Sequence, residues 1–257
     1  MLILGIETAT ERVSVAVGGH EGVMGMFELT RGRRHAETLA PAIEFVLRQA
    51  DIDIQEISVV AVDVGPGLFT GMRVGLASGK AIAQALRIPM IGISSLDLLA
   101  FPNLHSDRLV VPVIDARKGE VFWAMYRAVP GGVQQVAAPG VGPVDELVGD
   151  LLARSQETLL VGDGAHRYRD EIREGFHCEV GTDLHPSAAP LVTLAHAREL
   201  REEWVNPWEI EPTYLRPPDA QINWSTRGTR CVSSSAFSAG SAGPVTAPTR
   251  TASPSGP

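Results

Sequence analysis

Cysteine is nearly absent from this chain. Only Cys178 and Cys231 occur in 257 residues. They lie far apart, without the close spacing of a metal site, which argues against a disulfide framework and makes a reducing cytoplasm the expected compartment. Long apolar runs are missing too: none reaches the roughly 18 residues of a membrane span. The apolar opening Met1-Leu-Ile-Leu-Gly-Ile has no basic region before it, so it reads as a first strand and not as a signal peptide. The seven histidines form neither H-x-x-x-H nor H-E-x-x-H; Leu39 stands four residues after His35, and Val192 four before His196. A zinc or iron site on paired helical histidines is therefore unsupported. No G-x-S-x-G elbow or persuasive catalytic cysteine is present.

Phosphate-loop signatures fail by specific residues. Gly79-Lys80 carries Val74 five positions before the glycine and Ala81 after the lysine, so no Walker loop is formed. The dinucleotide fingerprint fails because the third glycine is displaced to Gly71. Acidic residues vanish from Ser225 onward, where three arginines stand alone. Since the whole chain has a formal net charge of −8, the rest carries −11, which argues against a nucleic-acid surface of its own.

What is there centres on residues 63–80. A continuous apolar run over 57–64 feeds into Gly65-Pro66-Gly67, and behind it Gly71, Gly75, Gly79 and Ala83 recur once per helical turn. Strand, glycine turn and helix in that order can aim backbone N–H groups at a ligand. A helix ridge stripped of side chains also admits another backbone.

The remaining pattern is α/β. Strands are expected over 2–6, 13–17, 23–29, 57–64, 90–93, 109–115, 119–126, 133–137 and 158–161. Helices are expected over 36–50, 71–86, after the Ser94-Ser95 cap, over 143–153 and over 187–204, with Pro41 placed inside the first turn of the 36–50 helix. Residues 212–216 read as a last extended piece. A shift of 108 residues lays Ile6-Glu7…Glu11-Arg12-Val13 on Ile114-Asp115…Gly119-Glu120-Val121. Each half thus opens with strand, acid, tight turn and strand, the mark of a duplicated domain with a cleft between copies.

The candidate cleft set is Glu7, Thr8, Gly65, Gly67, Thr70, Asp115, Arg117, Gly162 and Asp163. The acids at strand ends could hold a metal and its water. They read equally as turn carboxylates accepting backbone N–H bonds, with Thr8 and Thr10 acting likewise. The helix over 71–86 carries Met72, Leu76, Ile82 and Leu86 on one flank and Val74, Ala81 and Ala85 on the other, so it must be covered on two sides. The 36–50 helix has the same need. Its own domain or another chain can supply the second cover.

These residues carry a resemblance. Ile3-Leu-Gly-Ile-Glu-Thr-Ala-Thr10, His35-Ala-Glu-Thr-Leu-Ala-Pro41, Gly65-Pro-Gly-Leu-Phe-Thr-Gly-Met-Arg73, Gly92-Ile-Ser-Ser-Leu96 and Pro112-Val-Ile-Asp-Ala-Arg-Lys-Gly-Glu-Val121 resemble the TsaB (YeaZ) family, in order and spacing as far as Tyr214-Leu-Arg216. The resemblance implies a duplicated actin/Hsp70-like (ASKHA) fold, with subdomains at 1–104 and 105–224. It implies a scaffold role in placing the threonylcarbamoyl group on the tRNA adenosine beside the anticodon. In that family the transfer is made by the paralogue TsaD, with the ATPase TsaE joining. ATP and magnesium would then sit on the partners, with no cofactor or metal of this chain's own, and tRNA would be met only through the complex. The family's contact with TsaD, and its homodimer, use the first-half helices. Here that assigns an interface to Leu39, Ile43, Val46, Gly71, Met72, Gly75, Leu76, Gly79, Ile82 and Ala83. Glu7 departs from the aspartate that many members carry.

Two other classes remain open at this stage. One is a self-sufficient actin-like ATPase or metallopeptidase-like enzyme, which metal content and ATP turnover of the purified chain would reveal. The other is a sugar or acetate kinase, which would need a phosphate loop in both halves. Residues 225–257 hold eight Ser, five Thr, five Ala, four Gly and four Pro, a composition that cannot bury enough apolar surface to order itself. An out-of-frame or vector-derived extension is the other reading of that stretch. Deleting residues 225–257 is expected to leave the melting temperature unchanged in a thermal scan; a large drop would contradict this.

Overall fold

The computed structural model describes residues 1–32, 34–130 and 132–216. The tail at 225–257 lies outside them. The chain begins with three strands, β1 (Leu2–Glu7), β2 (Arg12–Gly19) and β3 (Gly22–Thr30). Helix α1 (His35–Gln49) leads to β4 (Ile57–Asp63), and α2 (Phe69–Leu86) leads to β5 (Met90–Ile93). They form one sheet in the order β3-β2-β1-β4-β5, antiparallel through β1 and parallel from β1 to β5.

The second half repeats the plan. Helix α3 (Ser95–Ala100) leads into β6 (Leu109–Arg117), β7 (Glu120–Val129) and β8 (Gly132–Pro143). Then follow α4 (Val144–Arg154), β9 (Thr158–Val161), α5 (Asp163–Arg167), α6 (Arg169–Gly175), β10 (Glu179–Val180) and α7 (Ala188–Glu199). The sheet order β10-β9-β6-β7-β8 is that of the first half read from the other edge. The duplication expected from the 108-residue shift is therefore a duplication of topology.

Each sheet is drawn from one side of residue 105, and helices cross between them. Leu191, Val192 and Ala195 of α7 pack on Ile3, Ala16, Val59 and Ile91 of the first sheet. Leu98 of α3 joins that cluster, while Leu96 and Leu99 join Val110, Ile114 and Phe122 of the second sheet. Helices α1 and α2 cover the opposite face of the first sheet, through Leu39, Ile43, Val46, Leu76 and Ala83. With both faces covered, the central strands are buried at nearly every position, β1 from Ile3 to Glu7 included.

Four sequence expectations need correcting. Pro41 lies inside α1, beyond its first turn, and Arg34 provides no side-chain cap. The proline is tolerated because position 41 faces solvent, as does Glu37, whose carbonyl it leaves without a helical donor. Helix α7 ends at Glu199 and not near 204, because Val205 bonds Met90 in both directions and pulls the chain into an extended course. Helices α5 and α6 replace a simple turn after β9, too short to show a helical period in sequence.

The fourth correction concerns the glycine ridge. Nine of the ten residues assigned to an interface, all but Ile82, are buried within the chain itself. A Cβ at Gly71 would stand 2.1 Å from the Thr8 carbonyl oxygen, one at Gly75 2.3 Å from Thr8 Oγ1, and one at Gly79 2.6 Å from Val62 Cγ1. The ridge is stripped so that α2 can lie on its own strands β1 and β4. Gly75→Leu or Gly79→Leu is accordingly expected to lower the unfolding free energy by about 3 kcal/mol, the upper end of overpacking costs. Urea denaturation measures it; a folded monomer of unchanged stability would contradict the packing described.

Candidate functional site: the acid-ended strands at the middle of the molecule

Three strands carry the same device, β1 and β4 at their last residue and β6 two residues before its end. Ala9 N–H donates to Glu7 Oε1 at 2.7 Å, Gly65 N–H to Asp63 Oδ1 at 2.7 Å, and Arg117 N–H to Asp115 Oδ1 at 2.9 Å. Each acid accepts from the backbone N–H two residues on, which is the turn role that the residue types allow. All three carboxylates are buried.

In the first half the turn is sealed by α2. Leu68 N–H donates to the Ala9 carbonyl at 2.6 Å, and Thr8 Oγ1 donates to the Gly71 carbonyl at 2.8 Å. His35 Nε2 lies 2.7 Å from the Thr10 carbonyl. A Cβ at Gly67 would meet Ala9 O at 2.2 Å, and Gly65 has φ +95° with no room for one beside Met72. Ser95 adds its hydroxyl to Asp63 Oδ1 at 2.7 Å and its N–H to the Gly65 carbonyl at 3.0 Å. The order of a phosphate cradle is present, but its contents are the chain's own. The Leu68 N–H is spent on Ala9, the Gly65 N–H on Asp63, and two buried carboxyls lie at the strand ends. These residues do not fit a phosphate.

The second half is built from counter-ions. Asp115 Oδ2 is 3.0 Å from Arg117 Nη1 and 3.3 Å from Arg167 Nη1, and Tyr168 donates its hydroxyl to Asp115 Oδ1 at 3.3 Å. Asp163 Oδ1 accepts from the Asp115 N–H at 3.1 Å. Gly162 holds φ +105° against the Val113 carbonyl and donates its N–H to Asp183 O. Arg117 also reaches across to Glu11 Oε1 at 2.6 Å, joining the two hairpin turns.

The electrostatics follow the surroundings. Burial pushes the Asp63 carboxyl up to about 7, against opposing bonds from Ser95 and Gly65. Glu7 is raised well above the usual carboxylate range, first by burial and then by the neighbouring Asp63 charge. Burial also lifts Asp163 to about 6. Glu11 is lowered, chiefly by its hydrogen bond from Arg117.

Of the nine expected cleft residues, Glu7, Thr8, Gly65 and Gly67 gather in the first turn, and Asp115, Arg117, Gly162 and Asp163 in the second. Thr70 stands apart, exposed on the first turn of α2. Sequence reading missed Asp63, Ser95, Glu11, Tyr168 and Arg167. Asp63 ends the apolar run at the same strand position as Glu7 and could have been found by that; Ser95 and Tyr168 arrive from other elements and carried no local signal.

Two sheets of identical topology, with acid-ended central strands and hairpin turns facing one another, define the duplicated actin-like α/β class. Within it, residues 23–224 match the family model described as TsaD, tRNA N6-adenosine threonylcarbamoyltransferase. The chain is 32% identical to the Escherichia coli tRNA threonylcarbamoyladenosine biosynthesis protein TsaB, over 84% of this chain and 95% of that one. The Bacillus subtilis protein of the same name is 27% identical over 87% and 98%. YeaZ from Pseudomonas aeruginosa superposes with a TM-score of 0.72 at 26% identity, covering 83% of this chain and 99% of that one. A second Pseudomonas aeruginosa structure, described by its similarity to peptidase YeaZ, gives 0.75 at 28% identity over 84% and 99%. The chain belongs to the TsaB (YeaZ) family of tRNA threonylcarbamoyladenosine biosynthesis proteins. No helix among the described residues is long and apolar enough to cross a membrane.

The seal on the first turn is measurable. Thr8→Val keeps the volume but removes the hydroxyl that bonds the Gly71 carbonyl, and is expected to cost about 1 kcal/mol in urea denaturation. No change in stability would show that the contact between turn and helix is idle.

Proposed function

We propose that this chain is a scaffold subunit, without catalysis of its own, in the machinery that transfers threonylcarbamoyl to the tRNA adenosine beside the anticodon. It docks a TsaD-like chain on the outer faces of α1 and α2, with a TsaE-like ATPase joining, and pairs with itself when that chain is absent. ATP and magnesium act on the partners, tRNA is met through the complex, and the compartment is the cytoplasm.

The observation that carries this reading is the outward side of the two helices. A groove of about 500 Å³ runs beside α1, with Ile43, Leu47, Ile52, Ile54 and Ile82 on its apolar wall and Glu44, Arg48 and Asp53 also lining it. On the other side of the helix, Phe45 stands 42% exposed beside Phe27. The exposed positions of α2 include a row of small residues, Ala77, Ala81 and Ala85, beyond the larger Phe69, Thr70 and Arg73 at its start and beside Gln84. A groove of this size, flanked by an aromatic and a low-relief helix face, suits another helix laid across it. The ten-residue interface expected from sequence moves outward by one helical face, from the buried ridge to these residues, with Ile43 and Ile82 retained as groove lining. A closed first-half turn supports the same reading, since it leaves little for a cleft ligand to do.

The direct test is a modification assay with each purified component left out in turn. The chain alone yields no threonylcarbamoyl product, and the mixture lacking it falls to background; full activity without it would contradict the scaffold reading. Ala81→Arg and Phe45→Glu change exposed positions, where stability shifts stay within about 0.5 kcal/mol. Each is expected to weaken association with the TsaD-like chain at least tenfold in a titration while leaving the melting curve in place. Unaltered affinity in both would move the interface elsewhere.

A further inference from the structure

The two halves hold their strand-end acids in different ways. In the second half Arg117, Arg167 and Tyr168 surround Asp115. In the first half the corresponding pair is Glu7 and Asp63, and among the described residues no guanidinium or ammonium is bonded to either. Strands β1 and β4 are parallel with Ile6 paired to Val62, so Glu7 and Asp63 are the next residues on adjacent strands and share one face of the sheet. Glu7 is 0% and Asp63 3% exposed. Glu7 Oε1 accepts from Ala9, with the Thr10 N–H also favouring the charged carboxyl, and Asp63 Oδ1 accepts from Gly65 and Ser95. Among the described residues, each has one buried oxygen, Glu7 Oε2 and Asp63 Oδ2, with no hydrogen-bond partner.

Two unpartnered buried acceptors on neighbouring strand positions are a costly arrangement, because each is desolvated and two negative charges repel. One added proton removes both costs. It turns one orphan oxygen into a donor for the other and leaves a single charge spread over the pair. We infer that Glu7 and Asp63 share one proton between Glu7 Oε2 and Asp63 Oδ2 at neutral pH, as a buried proton-binding site that fastens the 8–10 turn to the glycine turn ahead of α2.

A cation is the competing occupant. Among the described residues no group of three His, Cys, Asp or Glu side chains is placed to hold a metal ion. The polar neighbours from the surrounding elements are Thr8 and Ser95, which donate to Gly71 and Asp63, and Ser14 of β2, which accepts the Ala188 N–H. The charged groups felt by the pair are Arg12 of β2, which lowers Glu7, and Asp97 of α3, which raises Asp63. The α2 glycines at 71 and 75 face Thr8 and Ile6, on the other side of β1 from Glu7, and the pair lies on the face that Ser95 of α3 approaches. The proton is the occupant that this donor set fits.

The pH sign follows from linkage. Folded-state values for the pair are raised, so the native chain holds a proton that the unfolded chain releases above the ordinary carboxylate range. Stability from the pair is fully present below about pH 4 and is lost as pH rises toward about 7, the value for Asp63. One proton corresponds to a folding constant that falls up to tenfold per pH unit inside that window.

The test uses the full chain. Infrared difference spectroscopy at pH 7, above the value of about 6 for Asp163, is expected to show the carbonyl stretch of a protonated carboxyl that Glu7→Gln removes, leaving only the smaller share that Asp163 supplies. Urea denaturation from pH 4.5 to 7.5 is expected to show Glu7→Gln, whose amide donates permanently to Asp63, with a flatter profile than the native chain. Asp63→Asn serves as the second variant should the first fold poorly. A native chain without the protonated carboxyl band, or both variants with the native pH slope, would overturn the proposal. A melting temperature raised by magnesium or calcium in the native chain but not in Glu7→Gln would overturn it in favour of a cation.

Discussion

The backbone of residues 8–10 and the first two turns of α2 lie so close that no side chain fits between them. Gly67, Gly71 and Gly75 face the Ala9 carbonyl, the Thr8 carbonyl and the Thr8 hydroxyl at distances a Cβ could not occupy. This contact sets how deeply α2 sinks onto β1 and β4, and hence which of its faces remain outside. Placing the glycines inward leaves Ala77, Ala81 and Ala85 outward, so the same close approach that seals the first turn also shapes a low-relief surface beside the α1 groove. Interior and exterior of one helix are thus coupled by a steric condition. Burying bulk at any of the three glycines would lift the helix from both.

The two halves share a topology but differ in how they hold charge. The second half surrounds Asp115 with two arginines and a tyrosine, and Arg117 extends that network across to Glu11. In the first half the described residues bring no bonded cation to the acids, and what α2 brings to the 8–10 turn is backbone and glycine. Duplication therefore preserved the turn, an acid bonded to the N–H two residues ahead, and not the electrostatic environment. The crossing helices α3 and α7 tie the halves together by packing apolar residues at the sheets, so the meeting turns do not carry the cohesion of the molecule alone.

Much of this was legible in the sequence, and the reasons differ by residue. The apolar run ending at Asp63 and the repeat of strand, acid, turn and strand located the sheets and the duplication, because period and turn chemistry are local properties. The burial of Glu7 and Asp115 as turn acids was one of two readings that the residue types allowed. The ridge at Gly71, Gly75 and Gly79 was visible, but its direction was not. Helical spacing says that small residues share a face and leaves open whether that face meets the chain's own sheet or another protein. Partners from distant elements, Ser95 for Asp63 and Tyr168 for Asp115, are set by tertiary packing and leave no local mark. The Pro41 misplacement had a similar origin, since a proline inside a helix is tolerable only on a solvent face that the sequence did not identify.

The central claim is that this TsaB-family chain works through the outside of α1 and α2 while its first turn stays closed. Hydrogen–deuterium exchange of the chain with and without a TsaD-like partner tests that most directly. The account predicts added protection within 36–49 and 73–86 and none within 7–12 or 115–120. Protection gained at those turns, with the helices unchanged, would contradict it.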